Sequence, residues 1–181
     1  MKLSSPSRAT LFSKKAISET LFRLLQKKPY EDITITELCK QADVVRKTFY
    51  NNFDSKDDVL FFIMDDIFLE LKPYIDKPFM YAGDILLYVF KFIEVHKKDL
   101  LLFYERGLFN FARSSIVKYV TKERFLMHSE QAEANLSGFD YTAACISATI
   151  ASVIETWIKN SFKESVEFLA EFTERFLYKK L

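Results

Sequence analysis

Apolar residues recur every three or four positions along almost all of this chain, the period of a helix that buries one face. Between 13 and 28, Ala16, Ile17, Leu21, Leu24 and Leu25 share one broad face, and Pro29 stops the pattern. Thr34 stands as an N-cap, with Glu37 three residues later to complete a capping box. Ile35, Leu38, Cys39 and Ala42 follow at helical spacing, which predicts a short helix over 35–41. Asp43 then occupies a tight turn, where a left-handed backbone is needed and Asp tolerates it. Beyond the turn, Val44, Phe49 and Phe53 are spaced to plug a core, which leaves Arg46, Lys47, Thr48, Tyr50 and Asn51 on the outward side of a second short helix. A longer helix is expected to run from Ser55 to the neighbourhood of Lys72, where Pro73 and Pro78 break it. Further helices are expected over 82–97, 99–105, 110–128, 140–160 and 165–179, punctuated by Gly107 and the stretch 135–138.

Only 3 Gly and 4 Pro occur in 181 residues, and no stretch alternates with period two between turn pairs, so a sheet is excluded and the fold class is all-α. The pattern divides into an N-terminal three-helix helix-turn-helix unit, 1–56, and a larger C-terminal helical domain, 57–181. Two short helices joined by a tight turn are the means by which a helix is laid into the major groove of DNA. On that geometry Arg46, Lys47, Thr48 and Asn51 approach base edges, while Thr34, Tyr50 and Lys56 hold phosphates. The formal net charge of +1 says little by itself. It hides an asymmetry: residues 1–56 carry 11 basic against 6 acidic residues, a balance of +5, and residues 57–181 carry 15 against 19, a balance of −4. The positive field therefore sits with the helix-turn-helix.

The segment resembles the DNA-binding module of TetR-type (TetR/AcrR) bacterial transcriptional regulators. The likeness rests on Thr34 at the start of a capped helix, Ala42 and Val44 flanking the turn, the run Thr48-Phe49-Tyr50, and Phe53 and Lys56 opening the next helix. It departs from the family at two places, with Asp43 where Gly is usual and Val45 where a capping Ser or Thr is usual; losing such a cap costs about 1 kcal/mol. The segment from Trp157 to Leu177 is similar to the end of a subgroup of the family, in which a Trp is followed by an acidic Ser-led segment, here Glu164 and Ser165 to Phe168, that opens the last helix. The resemblance implies a DNA-binding transcriptional regulator, a dimer formed through its last two helices, a near-palindromic double-stranded operator, and repression more than activation.

The residues of the last two helices read the same way. Ala144, Ala148 and Ala151, with Ile154, give a surface that lets another helix approach closely, and Phe168 and Phe172 add a second apolar stripe, so these six are the expected homodimer interface. In the middle of the chain Tyr88, Phe92, Phe103, Tyr104, Phe109 and Phe111, helped by Trp157, are candidates to line a pocket for a small apolar or aromatic effector, although an aromatic stripe at this spacing also builds ordinary core.

Catalysis, a metal and a cofactor find no support. The two histidines, His96 and His128, lie far apart with no carboxylate or cysteine at ligand spacing, and neither a Gly-rich phosphate loop nor a CxxC is present. Cys39 and Cys145 read as small buried hydrophobes in a reducing compartment. The apolar runs fall short of the roughly 20 residues that cross a bilayer, and no signal segment is visible, so a cytoplasmic protein without membrane contact is expected. Two other readings stay open: a regulator-like adaptor or co-activator acting through protein contacts, and a helical enzyme acting on a small hydrophobic substrate.

Overall fold

The computed structural model describes residues 8–71, 73, 81–122 and 136–178, and every regular element among them is an α-helix. Two compact units divide the chain, Met1–Asp65 and Asp66–Leu181.

In the first unit α1 (Arg8–Leu25) packs on both α2 (Ile35–Gln41) and α3 (Arg46–Asn52), which also pack on each other. Ile17, Leu21, Leu25, Leu38 and Phe49 close the core between them. α1 already covers Arg8, five residues before the start that the apolar pattern indicates. Leu11 and Phe12 in its first turns are exposed, so helix propagation from the packed segment extends it there without burial. It ends at Leu25, where the Lys27 and Lys28 N–H groups both turn back to the Leu24 carbonyl at 2.9 and 3.1 Å.

α4 (Lys56–Leu69) opens on a reciprocal cap. The Asp58 carboxylate accepts from the Asp54 and Ser55 N–H groups at 3.0 and 2.8 Å, and Ser55 Oγ accepts from the Asp58 N–H at 3.2 Å. The division between the units falls inside this helix, nine residues beyond 56. Its first turns belong to the first unit because Phe62 meets the Phe53 ring at 5.7 Å, Lys14 lies over both rings, and Tyr30 donates to Asp57.

The second unit is built from the end of α4 with α5 (Ala82–Val95), α6 (Lys97–Glu105), α7 (Phe109–Lys122), α8 (Leu136–Lys159) and α9 (Val166–Tyr178). α9 packs on α5 and α8, α8 on α7, and α6 touches α5, α7 and α8. Leu86, Phe90, Phe103, Ile154 and Trp157 are the heart of this core. His96 alone separates α5 from α6, two positions before the break read from the sequence. α6 closes on Gly107 in the left-handed region (φ 70°), with the Gly107 and Leu108 N–H groups returning to Tyr104 and Phe103.

α8 is helical from Leu136 through Gly138, so the expected break does not fall over 136–138, and Asn135 lies outside the described residues; a glycine inside a helix costs only about 1 kcal/mol and long flanking apolar sequence outweighs it. Within α8, Tyr141–Lys159 is long and apolar enough to cross a membrane by length and composition, which the short apolar runs did not suggest. Its Ala143, Ile146, Ile150, Ile154 and Trp157 side is packed inside the unit. The turn into α9 uses two left-handed residues, Ser161 (φ 58°) and Phe162 (φ 55°), and Ser165 Oγ then accepts from the Phe168 N–H at 3.2 Å.

Candidate nucleic-acid interface

α2 and α3 meet across a turn whose geometry follows from one residue. Asp43 has φ 52°, the left-handed conformation expected of it, and the Val44 N–H closes back on the Cys39 carbonyl at 3.0 Å. At the other end of α2, Thr34 is extended (φ −91°, ψ 150°) and its hydroxyl accepts from the Glu37 N–H at 3.1 Å. The Glu37 carboxylate does not complete a local box, because it is engaged by Lys28 and by Gln41 Nε2.

α3 is fixed by Phe49, which is fully buried and stands edge-on to Tyr50 with ring centroids 5.3 Å apart. Burying this one position rotates Arg46, Lys47, Tyr50 and Asn51 to the exposed side, with Thr48 half-buried. Its N-cap, Val45, is extended (φ −79°, ψ 151°), has no side-chain capping bond, and is 69% exposed. Arg46 is held from two sides: Nη1 donates to Thr36 Oγ1 at 2.7 Å and Nη2 to the Tyr50 hydroxyl at 3.2 Å. Thr36 is a residue the sequence does not single out. Its contact to Arg46 joins two helices over ten positions, and no periodicity signals that.

Lys56, read from the sequence as a phosphate contact, is engaged inside its own unit. Its ammonium donates to the Tyr30 carbonyl at 2.9 Å and to the Ile33 carbonyl, and lies 4.2 Å from the centre of the Tyr30 ring. The cation is thus spent on the α1–α2 loop. Burial, and then the hydrogen bond to Asp57, push the Tyr30 phenol well above its ordinary pKa, so it stays a donor. Cys39 is buried and its thiol is raised by that burial, against the opposing charge of Arg46.

In the second unit the six interface candidates separate by helical phase. Ala144 and Ala148 are on the outer side of α8, whereas Ala151 and Ile154 are fully buried within their own chain. An α-helix turns 100° per residue, so a run of small residues cannot all share one face. On α9, Phe168, Phe172 and Phe176 form a stripe at four-residue spacing and are 55%, 50% and 52% exposed. A groove of about 560 Å³ runs along this side, lined by Ala148, Ser152, Thr156, Phe168, Phe172 and Phe176 among others. Cys145 is exposed on this outer side of α8, contrary to the buried position expected.

The expected aromatic pocket is not assembled as one cavity. Phe103, Phe109 and Phe111 are buried in the core, Tyr104 stacks edge-on against Phe109 at 6.2 Å, and Trp157 packs on Phe90 and Phe162 while its Nε1 donates to the Glu164 carbonyl at 3.0 Å. Core packing claims them because large aromatics bury the most area. Tyr88 and Phe92 do line a cavity of about 580 Å³, together with Glu70, Leu71, Pro73, Lys91, Val95 and His96. His96 stands 3.5 Å from Glu70 and against the Phe92 ring. His128 lies outside the described residues, and among those described no group of His, Cys, Asp or Glu could hold a metal ion.

A capped helix, a left-handed turn and a second helix anchored by one aromatic and turning basic and amide side chains outward give the N-terminal unit the geometry of a helix-turn-helix, and the fold of the whole chain is similar to that of solved TetR-type regulators. Residues 17–61 match the family described as bacterial regulatory proteins, tetR family. Over 62 residues the chain is 29% identical to the HTH-type dhaKLM operon transcriptional activator DhaS of Lactococcus lactis subsp. lactis (strain IL1403), a match that spans 34% of this chain and only 33% of that protein. Among solved structures it is similar to a TetR transcriptional regulator from Streptococcus agalactiae 2603V (TM-score 0.61, 21% identity, 94% of this chain and 96% of that one). It is also similar to Thermus thermophilus FadR, a TetR-family transcriptional repressor in complex with lauroyl-CoA (TM-score 0.58, 16% identity, 93% and 95%).

Proposed function

We propose that this chain is a cytoplasmic, dimeric transcriptional regulator that binds a near-palindromic DNA operator with α3 in the major groove. The observation that carries the reading is the outward set on α3: burial of Phe49 turns Arg46, Lys47, Tyr50 and Asn51 to the exposed side of the unit with the excess positive charge. Arg46 and Lys47 suit guanine edges, Asn51 an adenine edge, and the Thr34 hydroxyl a phosphate oxygen. Lys56 serves the fold of the α1–α2 loop instead. A second copy of the chain is the partner proposed for the Phe168, Phe172 and Phe176 stripe with Ala144 and Ala148, since a two-fold pairing there covers the exposed rings. The cavity at Tyr88 and Phe92 is the proposed place for a small apolar effector. Repression is the proposed direction, as for the FadR structure, and the activator DhaS is the precedent for the opposite sign.

Selection of bound duplexes from a random pool tests the reading. A two-fold related motif, with affinity that falls steeply as salt rises, is expected. A pool that returns no sequence refutes it and favours the adaptor reading.

A further inference from the structure

We infer that Thr36 is a positioning residue for base recognition: with Tyr50 it clamps the Arg46 guanidinium in place on the outer side of the helix-turn-helix before DNA arrives. The inference rests on the proposed reading that α3 faces the bases. Arg46 is the first residue of α3, its side chain is exposed, and a long exposed arginine ordinarily samples many rotamers. Here two different elements take hold of it. Thr36, in the first turn of α2, accepts from Nη1 at 2.7 Å, and Tyr50, one turn further along α3, accepts from Nη2 at 3.2 Å while its ring lies 5.7 Å from the guanidinium carbon. A guanidinium has five N–H donors, so these two bonds leave three, more than the two that a bidentate guanine contact takes.

The arrangement gives Tyr50 and Thr36 a different role from a phosphate ligand. A phosphate ligand adds affinity for every sequence equally. A clamp instead removes rotamer freedom that Arg46 would otherwise lose on meeting its base, so its effect is confined to the base pair Arg46 reads. All three side chains are exposed, which means that changing them leaves the buried core of the unit intact.

The test is a base-preference profile of the full-length protein, measured by selection and then by titration of single-base operator variants at two salt concentrations. Arg46→Ala identifies the operator position that Arg46 reads by flattening preference there. Thr36→Val, which keeps the shape and removes the acceptor, is expected to lower discrimination at that same position about 3- to 10-fold, leaving other positions and the salt dependence unchanged. Thr36→Ser should restore it, and Tyr50→Phe should behave like Thr36→Val. The inference is overturned if Thr36→Val matches wild type where Arg46→Ala does not, if it weakens all sequences equally, or if Arg46→Ala flattens no position. Those results leave selective DNA binding standing. A wild-type protein that selects no sequence overturns the DNA reading itself, and the inference with it.

Discussion

Replacing Val45 by threonine should tighten α3. Val45 already has the extended backbone of an N-cap, φ −79° and ψ 151°, close to the φ −91° and ψ 150° of Thr34, whose hydroxyl caps α2. Only the acceptor is missing. The Thr48 and Phe49 N–H groups reach the Val45 carbonyl at 2.8 and 3.2 Å, while the Arg46 and Lys47 N–H groups, at the first two helical positions, have no intrahelical acceptor, as at every helix start. A hydroxyl at 45 offers an acceptor to the Lys47 N–H and a second one to the Thr48 N–H, which stands where Glu37 stands relative to Thr34 Oγ1. Such a cap contributes about 0.5–2 kcal/mol. Val45 is 69% exposed and threonine keeps one of its two methyls, so the burial lost is a small fraction of the ~0.8 kcal/mol of a buried methylene. The net expectation is about 0.5–1 kcal/mol, or roughly a two- to fivefold slowing of amide exchange across α3 where exchange follows local opening. Hydrogen exchange resolved by residue reads it directly, with Thr34→Ala as the mirror experiment on α2. Unchanged or faster exchange in α3 of Val45→Thr, beside a clear loss in Thr34→Ala, would refute the reasoning.

At the outer side of α8 and α9, Phe172→Glu should convert a dimer to a well-folded monomer in sedimentation, since it puts charge on an exposed ring position. Ala151→Asp should instead unfold the second unit, because that site has no exposure and a buried unpaired carboxylate costs several kcal/mol, of order 3 or more. Lys56→Met should lower thermal stability by releasing the Tyr30 and Ile33 carbonyls, on the order of 1–3 kcal/mol, and leave the salt slope of DNA binding unchanged. A slope reduced by about one would restore the phosphate contact. For pH, the Lys159 hydrogen bond and then that of Arg113 hold the Glu155 carboxyl below its ordinary value. A group lowered in the folded state contributes stability that is complete above its unfolded pKa and is lost as pH falls through the folded one. Glu155→Gln should therefore remove part of the acid loss of stability seen in the wild type, and superposed acid melts would count against the pair.

What the sequence determines is local. The 35–41 helix, the left-handed Asp43, the missing cap at Val45 and the outward set on α3 all follow from near-neighbour chemistry: caps, turn conformations and the helical period act within four residues. The all-helical class is legible for the same reason, since Gly and Pro are too few to break the repeating apolar faces. The tertiary structure decides what depends on contacts between distant residues. Lys56 meets Tyr30 and Ile33 more than twenty positions away, Arg46 meets Thr36 on another helix, and Ala151 and Ile154 lie inward while Ala148 lies outward. An aromatic stripe has the same period whether it lines a cavity or fills a core, so only packing assigns Phe103 and Trp157 to the interior and Tyr88 and Phe92 to a cavity wall. A periodic pattern records that a face is apolar. Which neighbour covers that face is fixed by the path of the chain, because burial is non-directional and any apolar partner satisfies it.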